Sequence, residues 1–227
     1  MKVLIISDGH GAIDNLRLLK SEAEQCDFVI FGGDFAAFNK PETGLPFLKE
    51  LVKLHDTVFA VLGNCDEPDF IEHLDAAGIS IEKSLSQYEG LMLTGSGGGS
   101  KFTGTTPYER TDEELVSDLH LVEENFSEDE APINNLIVVA HNPPHKTKLD
   151  KVAPLVHVGS PLIRSFIEKH QPLLVVSGHI HESFATDTLG NSVLVNPGAL
   201  VEGRYARAEI NGNKKQGFSV SVELKQL

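Results

Sequence analysis

"LLVVSGHIHES", residues 173–183, joins an apolar run to a Ser-Gly step and then to two histidines one residue apart. A short run of Leu and Val reads as a strand covered on both faces. Imidazoles lose hydration when buried, so His179 and His181 at the end of such a strand need a compensating partner. The same join recurs along the chain. "KVLIISDGH" (2–10) ends in Asp8 and His10, "FVIFGGD" (28–34) in Asp34, "VFAVLGNCD" (58–66) in Asn64 and Asp66, and "LIVVAHNPPH" (136–145) continues into His141.

These runs are the expected core strands of an α/β fold, at 2–6, 28–31, 57–62, 91–94, 136–140 and 173–177. Between them, "AIDNLRLLKSEAEQ" (12–25) and "GLPFLKELVKL" (44–54) space their apolar residues three and four apart, which predicts helices that each cover one sheet face. "GSPLIRSFIEKHQP" (159–172) predicts a third, with Ser160 as N-cap, Pro161 in the first turn and Pro172 past the end. The last third reads as hairpins turning at Leu-Gly-Asn (189–191) and Asn-Gly-Asn (211–213). Its final two strands alternate Ala206, Ala208, Ile210 and Phe218, Val220, Val222, Leu224 with polar neighbours, the pattern of a sheet with one wet face.

The chain has 227 residues, 41% of them apolar, enough for one cored domain over 1–227. With 19 Lys+Arg against 33 Asp+Glu, the formal charge of −14 disfavours long nucleic acid, whose binders neutralise phosphates with basic side chains. "MKVLIIS" leads directly into a strand and no apolar run approaches membrane-spanning length, so no membrane association and a cytoplasmic location are expected. Two cysteines, Cys26 and Cys65, make no disulfide framework and fit a reducing compartment. A homo-oligomer is left open.

In open α/β sheets the carboxyl ends of strands face one crevice. If these ends lie together, they pool two carboxylates (Asp8, Asp34), one amide oxygen (Asn64) and four imidazoles (His10, His141, His179, His181). Divalent cations relieve both the repulsion and the lost hydration, and seven donors suit two ions that share a ligand. Asp34 is the natural bridge, since a carboxylate can join two cations. Along an extended segment residues two apart share a face, so His179 and His181 are expected to reach neighbouring ions. Singly, "GGD" and "GNCD" are ordinary turn chemistry and His141 an ordinary buried histidine. The metal reading rests on five such tips in order, each after an apolar strand.

The ordered set Asp-x-His, Gly-Asp, Gly-Asn-x-Asp, His and Gly-His-x-His resembles the calcineurin-like metallophosphoesterases, from Met1 to "NPGAL" at 196–200, most closely the compact Icc-related group. That resemblance implies a four-layer α-β-β-α sandwich of two mixed sheets flanked by helices, with a dinuclear centre at the strand ends. It implies Asp8, His10 and His181 on one ion, Asn64, His141 and His179 on the other, and Asp34 between. Asn64, Asp66 and His141 are the expected catalytic residues, Asp66 in a supporting part. The implied reaction is hydrolysis of a small phosphodiester or phosphomonoester by a hydroxide bridging two divalent ions. Manganese is the first expectation for the metal, with iron, zinc, nickel and cobalt as the others.

One position departs from the family's commoner pattern. Cys65 stands where a histidine helps hold phosphate and protonates the leaving group; a thiol is a poorer donor, which leans the reading towards diesters with good leaving groups. His145 is a candidate substitute, against the plainer reading of a surface histidine, and Arg204 a candidate phosphate contact, against that of a strand arginine. "GSGGGSKFTGTTPYE" (95–109) has flexible-loop composition and is a candidate pocket wall. "TDEELVSDLHLVEENFSEDE" (111–130) predicts a helix with a solvated acidic face. The alternative function is a scaffold that keeps the fold without turnover, which missing ligands would favour; none is missing.

Overall fold

In the computed structural model, which describes residues 1–102, 104–127 and 131–227, the apolar runs are strands because each is covered on both faces. One sheet has the order β15-β14-β1-β2-β3, built from β1 (Lys2–Ile6), β2 (Phe28–Phe31), β3 (Val58–Ala60), β14 (Arg204–Asn213) and β15 (Gly217–Gln226). The other runs β12-β13-β11-β8-β5-β4, from β4 (Ser86–Tyr88), β5 (Leu91–Ser96), β8 (Leu136–Ala140), β11 (Leu174–Val176), β12 (Ala185–Leu189) and β13 (Ser192–Asn196). In the first sheet β1, β2 and β3 run parallel while β14 and β15 are antiparallel additions, and in the second the inner pairs are parallel and the two edge pairs antiparallel, so both sheets are mixed. Two small pairs, β6 (Gly99–Ser100) with β7 (Glu109–Arg110) and β9 (Lys151–Ala153) with β10 (Val156–His157), lie outside the large sheets.

Side-chain alternation divides the core into three. Val3, Ile5, Phe28 and Ile30 of the first sheet meet Leu91, Leu93, Ile137 and Val139 of the second, which stacks the sheets face to face. Leu4, Ile6, Val29 and Phe31 turn the other way, onto Leu16, Leu19, Phe47 and Leu51 of helices α1 (Ile13–Leu18) and α3 (Gly44–Leu54) and the residue joining α1 to α2 (Lys20–Ala23). Leu136, Val138 and Val175 pack on Leu115, Val122, Ile163 and Ile167 of α5 (Asp112–Ser117), α6 (His120–Asn125) and α7 (Pro161–His170). A short α4 (Ile71–Ala76) adds Leu74 to the α1/α3 side. These are the four layers of the α-β-β-α sandwich.

Several elements differ from the sequence reading. The helix expected over 12–25 is two, broken at Leu19, whose N–H bonds back to Leu16. The final hairpin turns at 214–216, because Asn213 pairs with Gly217 and its side chain accepts the N–H groups of Lys215 and Gln216. Thus Asn-Gly-Asn lies in the strand and stabilises the turn from its edge. Over 111–127 there are two short helices, and the acidic face is only partly solvated: Asp118 is buried and paired with Arg110, while Asp112 accepts from Ser160 Oγ and the Leu162 N–H. Residues 128–130 of that expected helix lie outside the described residues. Among the described residues no helix is long and apolar enough to cross a membrane.

Candidate metal centre

Each candidate ligand stands just past a strand: Asp8 and His10 after β1, Asp34 after β2, Asn64 after β3, His141 after β8, His179 and His181 after β11. The parallel ladder of β1 and β2 continues into the loops, where Asp8 N–H donates to Gly33 O and His10 N–H to Asp34 O, both at 2.9 Å. Across the stack, His179 N–H donates to Asp8 Oδ1 at 3.0 Å, which ties the two sheets together at the site. Asp8, His10, Asp34 and His179 all have positive φ, at 54°, 46°, 62° and 67°. Non-glycine residues rarely adopt that region, and four of them together mark strain held by surrounding packing.

The "GHIH" histidines reach different parts of the site, though not by strand alternation as the sequence reading supposed. His179 is left-handed and His181 opens a 3-10 turn, so a kink separates their rings. His181 Nε2 lies 3.3 Å from Asp8 Oδ1 and 3.2 Å from His10 Nε2. The His179 ring instead faces His141, with centroids 5.3 Å apart. Asp34 Oδ2 stands 3.6 Å from both His10 Nε2 and His141 Nε2. Sets of ligand atoms within 4.8 Å of one another are Asp8–His10–His181, Asp8–Asp34–His141 and His10–Asp34–Cys65.

The donor chemistry fits cations. His10 Nδ1 donates to Ala36 O at 3.1 Å and His141 Nδ1 to Gly32 O at 2.7 Å, which leaves each Nε2 as the inward lone pair. The His10 lone pair then meets His181 Nε2 across 3.2 Å, and that of His141 meets Asn64 Oδ1 across 3.0 Å, while Asn64 Nδ2 turns to Cys65 Sγ. Such contacts need a proton or a cation between them.

The electrostatics agree with that chemistry. Burial and the neighbouring His141 push His179 down to about 4, so its imidazole is neutral. Burial acts to raise the Asp8 carboxyl, but His181 and His141 outweigh it and hold it below the ordinary carboxylate range. Burial likewise acts to lower His141, and the Asp34 and Asp8 carboxylates outweigh it and raise it. The Asp8 hydrogen bond raises His181. Burial and the Asp34 charge push the Cys65 thiol up.

The supporting residues were partly legible. Asp66 accepts from the N–H groups of Asp34, Phe35, Ala36 and Gly63 at 2.8–3.2 Å, so its carboxylate shapes the Asp34 loop rather than facing the cleft. Two glycines make room for the carboxylates: a Cβ on Gly63 would stand 2.0 Å from Asp34 Oδ1, and one on Gly178 2.5 Å from Asp8 Oδ2. Sequence reasoning gave no part to Asn196, whose side chain donates to Gly178 O and Ile180 O and clamps the "GHIH" turn; "NPGAL" was its only signal. Arg204 donates to His181 O at 2.9 Å and pairs with Glu202 at 2.8 Å, so it braces the His181 turn. His145 stands apart from these sets, with Nδ1 3.5 Å from Asp150, which also holds His157 at 2.6 Å. The loop over 95–109 is wound about Glu109, whose carboxylate accepts from Phe102, Gly104, Thr105 and Thr106; its residue 103 lies outside the described residues.

Residues 1–183 match the family model of the calcineurin-like phosphoesterases. An uncharacterized protein of Methanocaldococcus jannaschii is 32% identical over 203 residues, covering 87% of this chain and 88% of that protein. A solved structure from Thermus thermophilus has a TM-score of 0.70 at 19% identity, covering 99% of this chain and 98% of the other. A dimetal phosphatase from Danio rerio has a TM-score of 0.65 at 12% identity, covering 100% and 98%. At these identities the structural likeness establishes the fold.

Proposed function

The chain belongs to the calcineurin-like phosphoesterase family, and from that premise we propose that it hydrolyses a small phosphate ester, a diester in preference to a monoester, in the cytoplasm. The observation that carries the reading is the convergence of lone pairs: His10 Nε2 on His181 Nε2 at 3.2 Å, and Asp34 Oδ2 at 3.6 Å from both His10 and His141. Asp8, His10 and His181 would hold one divalent ion and Asn64, His141 and His179 a second, with Asp34 placed to serve both. Manganese suits this oxygen- and imidazole-rich set, and iron, zinc, nickel and cobalt are its competitors. Two such ions, when bound, would supply positive charge for the phosphoryl oxygens and lower the pKa of a nucleophilic water.

The chain's own groups do the rest. Asp66 positions Asp34 through the backbone N–H groups it binds, and Arg204 positions His181 through its carbonyl. The preference for diesters with good leaving groups follows from Cys65, which offers no imidazole to protonate an alkoxide. Residues 1–227 act as one unit. The test is hydrolysis of an activated aryl phosphodiester before and after chelation and dialysis. Turnover is abolished by chelation and restored by Mn²⁺; full activity in a demonstrably metal-free sample overturns the reading.

A further inference from the structure

A cavity of about 470 Å³ adjoins the candidate centre, and Asn64 and His179 form part of its wall. This is the size of a small-molecule site, about 300–1,000 Å³. Phe102, Val152 and Val158 face the cavity from other segments, and Ile180 faces it beside His179. Phe102 is 89% exposed and Val152 38% exposed, although both are apolar and stand beside a polar centre.

Both outer walls are fastened to the centre. Tyr108 N–H donates to Asn64 O at 3.1 Å, and Ser100 N–H to the side chain of Asn142, next to His141, at 3.0 Å. On the other side, Ser183, two residues past His181, exchanges hydrogen bonds with the backbone of Lys151 on β9 at 2.9 and 2.8 Å. The wall is therefore held in register with the site. Glu109, the carboxylate in the lining, is already occupied by the loop's own N–H groups. A sugar or polyol placed here would exchange its water for aliphatic and aromatic surface, whereas a hydrocarbon group would gain by the same exchange. Lys101 adds a positive charge to the lining, which favours an anionic ester.

We propose that this cavity receives the organic substituent of the substrate and selects an apolar one, of aryl or branched alkyl character; this rests on the phosphoesterase reading above. The test uses calorimetric binding to the manganese-loaded protein of phenylphosphonate, 2,3-dihydroxypropylphosphonate and inorganic phosphate, none of which needs turnover. Phenylphosphonate binds at least tenfold more tightly than the dihydroxypropyl compound. Phe102→Ala and Val152→Asn, both at exposed positions, reduce that preference to threefold or less and leave the affinity for inorganic phosphate unchanged. Equal affinities for the two phosphonates, with phosphate still bound, overturn the cavity inference and spare the metal centre. A tenfold preference that survives both substitutions overturns it too, since the selecting surface then lies elsewhere. Failure of all three compounds to bind overturns the reading on which it rests.

Discussion

His10 Nε2 lies 3.2 Å from His181 Nε2 although 171 residues separate them, and His10 Nδ1 is bound to the Ala36 carbonyl. The carbonyl assigns the His10 proton to Nδ1, so the ring presents a lone pair to its partner. Asp34 stands next to this pair and next to His141, and the first prediction concerns it.

Asp34→Asn removes a carboxylate that stands 3.6 Å from both His10 and His141. Metal content, read by elemental analysis, falls, and turnover of an aryl phosphodiester drops by about a hundredfold or more. His145→Ala, in the separate cluster with Asp150 and His157, changes turnover by less than about threefold. Equal small effects from the two would show that the centre has been misplaced.

Asp66→Ala leaves four buried N–H groups, of Asp34, Phe35, Ala36 and Gly63, without their acceptor. Each unmet buried donor costs about 1–3 kcal/mol, and partial rearrangement recovers some of it. The variant loses at least ~3 kcal/mol in urea unfolding and binds metal more weakly. A loss below ~1 kcal/mol would mean that the Asp34 loop holds its shape without this carboxylate.

Glu82 supplies the pH test away from the centre. Burial pushes its carboxyl up to about 7 even though the Leu62 N–H donates to it. The folded pKa exceeds the unfolded one, so the group's contribution is full below about 4.5 and is lost as pH rises through about 7. Between pH 5 and pH 8 it removes up to about 3 kcal/mol. Glu82→Gln keeps an acceptor for Leu62 and takes away the titration, so the variant gains on the wild type as pH rises. Urea midpoints at the two pH values measure this, and a constant difference between the proteins contradicts it.

Cys65→Ala changes turnover of a nitrophenyl diester by less than about threefold, because an acidic leaving group needs little protonation. If metal content is unchanged, a loss of about a hundredfold on that substrate would assign the thiol a direct part in the reaction. Cys65→His, at the same metal content, raises the relative rate on alkyl esters. The slope of log rate against leaving-group pKa reports both effects.

Strand positions and the residues at their tips were legible in the sequence, because an unbroken Val/Ile/Leu run has few alternatives to a two-sided burial and a polar group after it stands out. α3 and α7 were equally plain: the first has a clean apolar stripe, and the second is capped by Ser160 and ends before Pro172, as expected. The local reading failed where a distant partner overrode composition. A Gly-, Ser- and Thr-rich loop is given its shape by Glu109, and Asp118 leaves its solvated face to meet Arg110.

By itself, then, the amino-acid sequence determined the fold class and the family and named seven candidate donors, since each depends on short-range pattern and residue chemistry. Tertiary structure alone decided how those donors meet. His179 and His181 part company through a left-handed kink held by Asn196 and Asp8, contacts spanning 16 to 171 residues. The apolar cavity beside them is made by separate segments that touch only once the sheets have stacked. No local pattern records such a surface, because its walls are set by long-range packing that brings remote parts of the chain together.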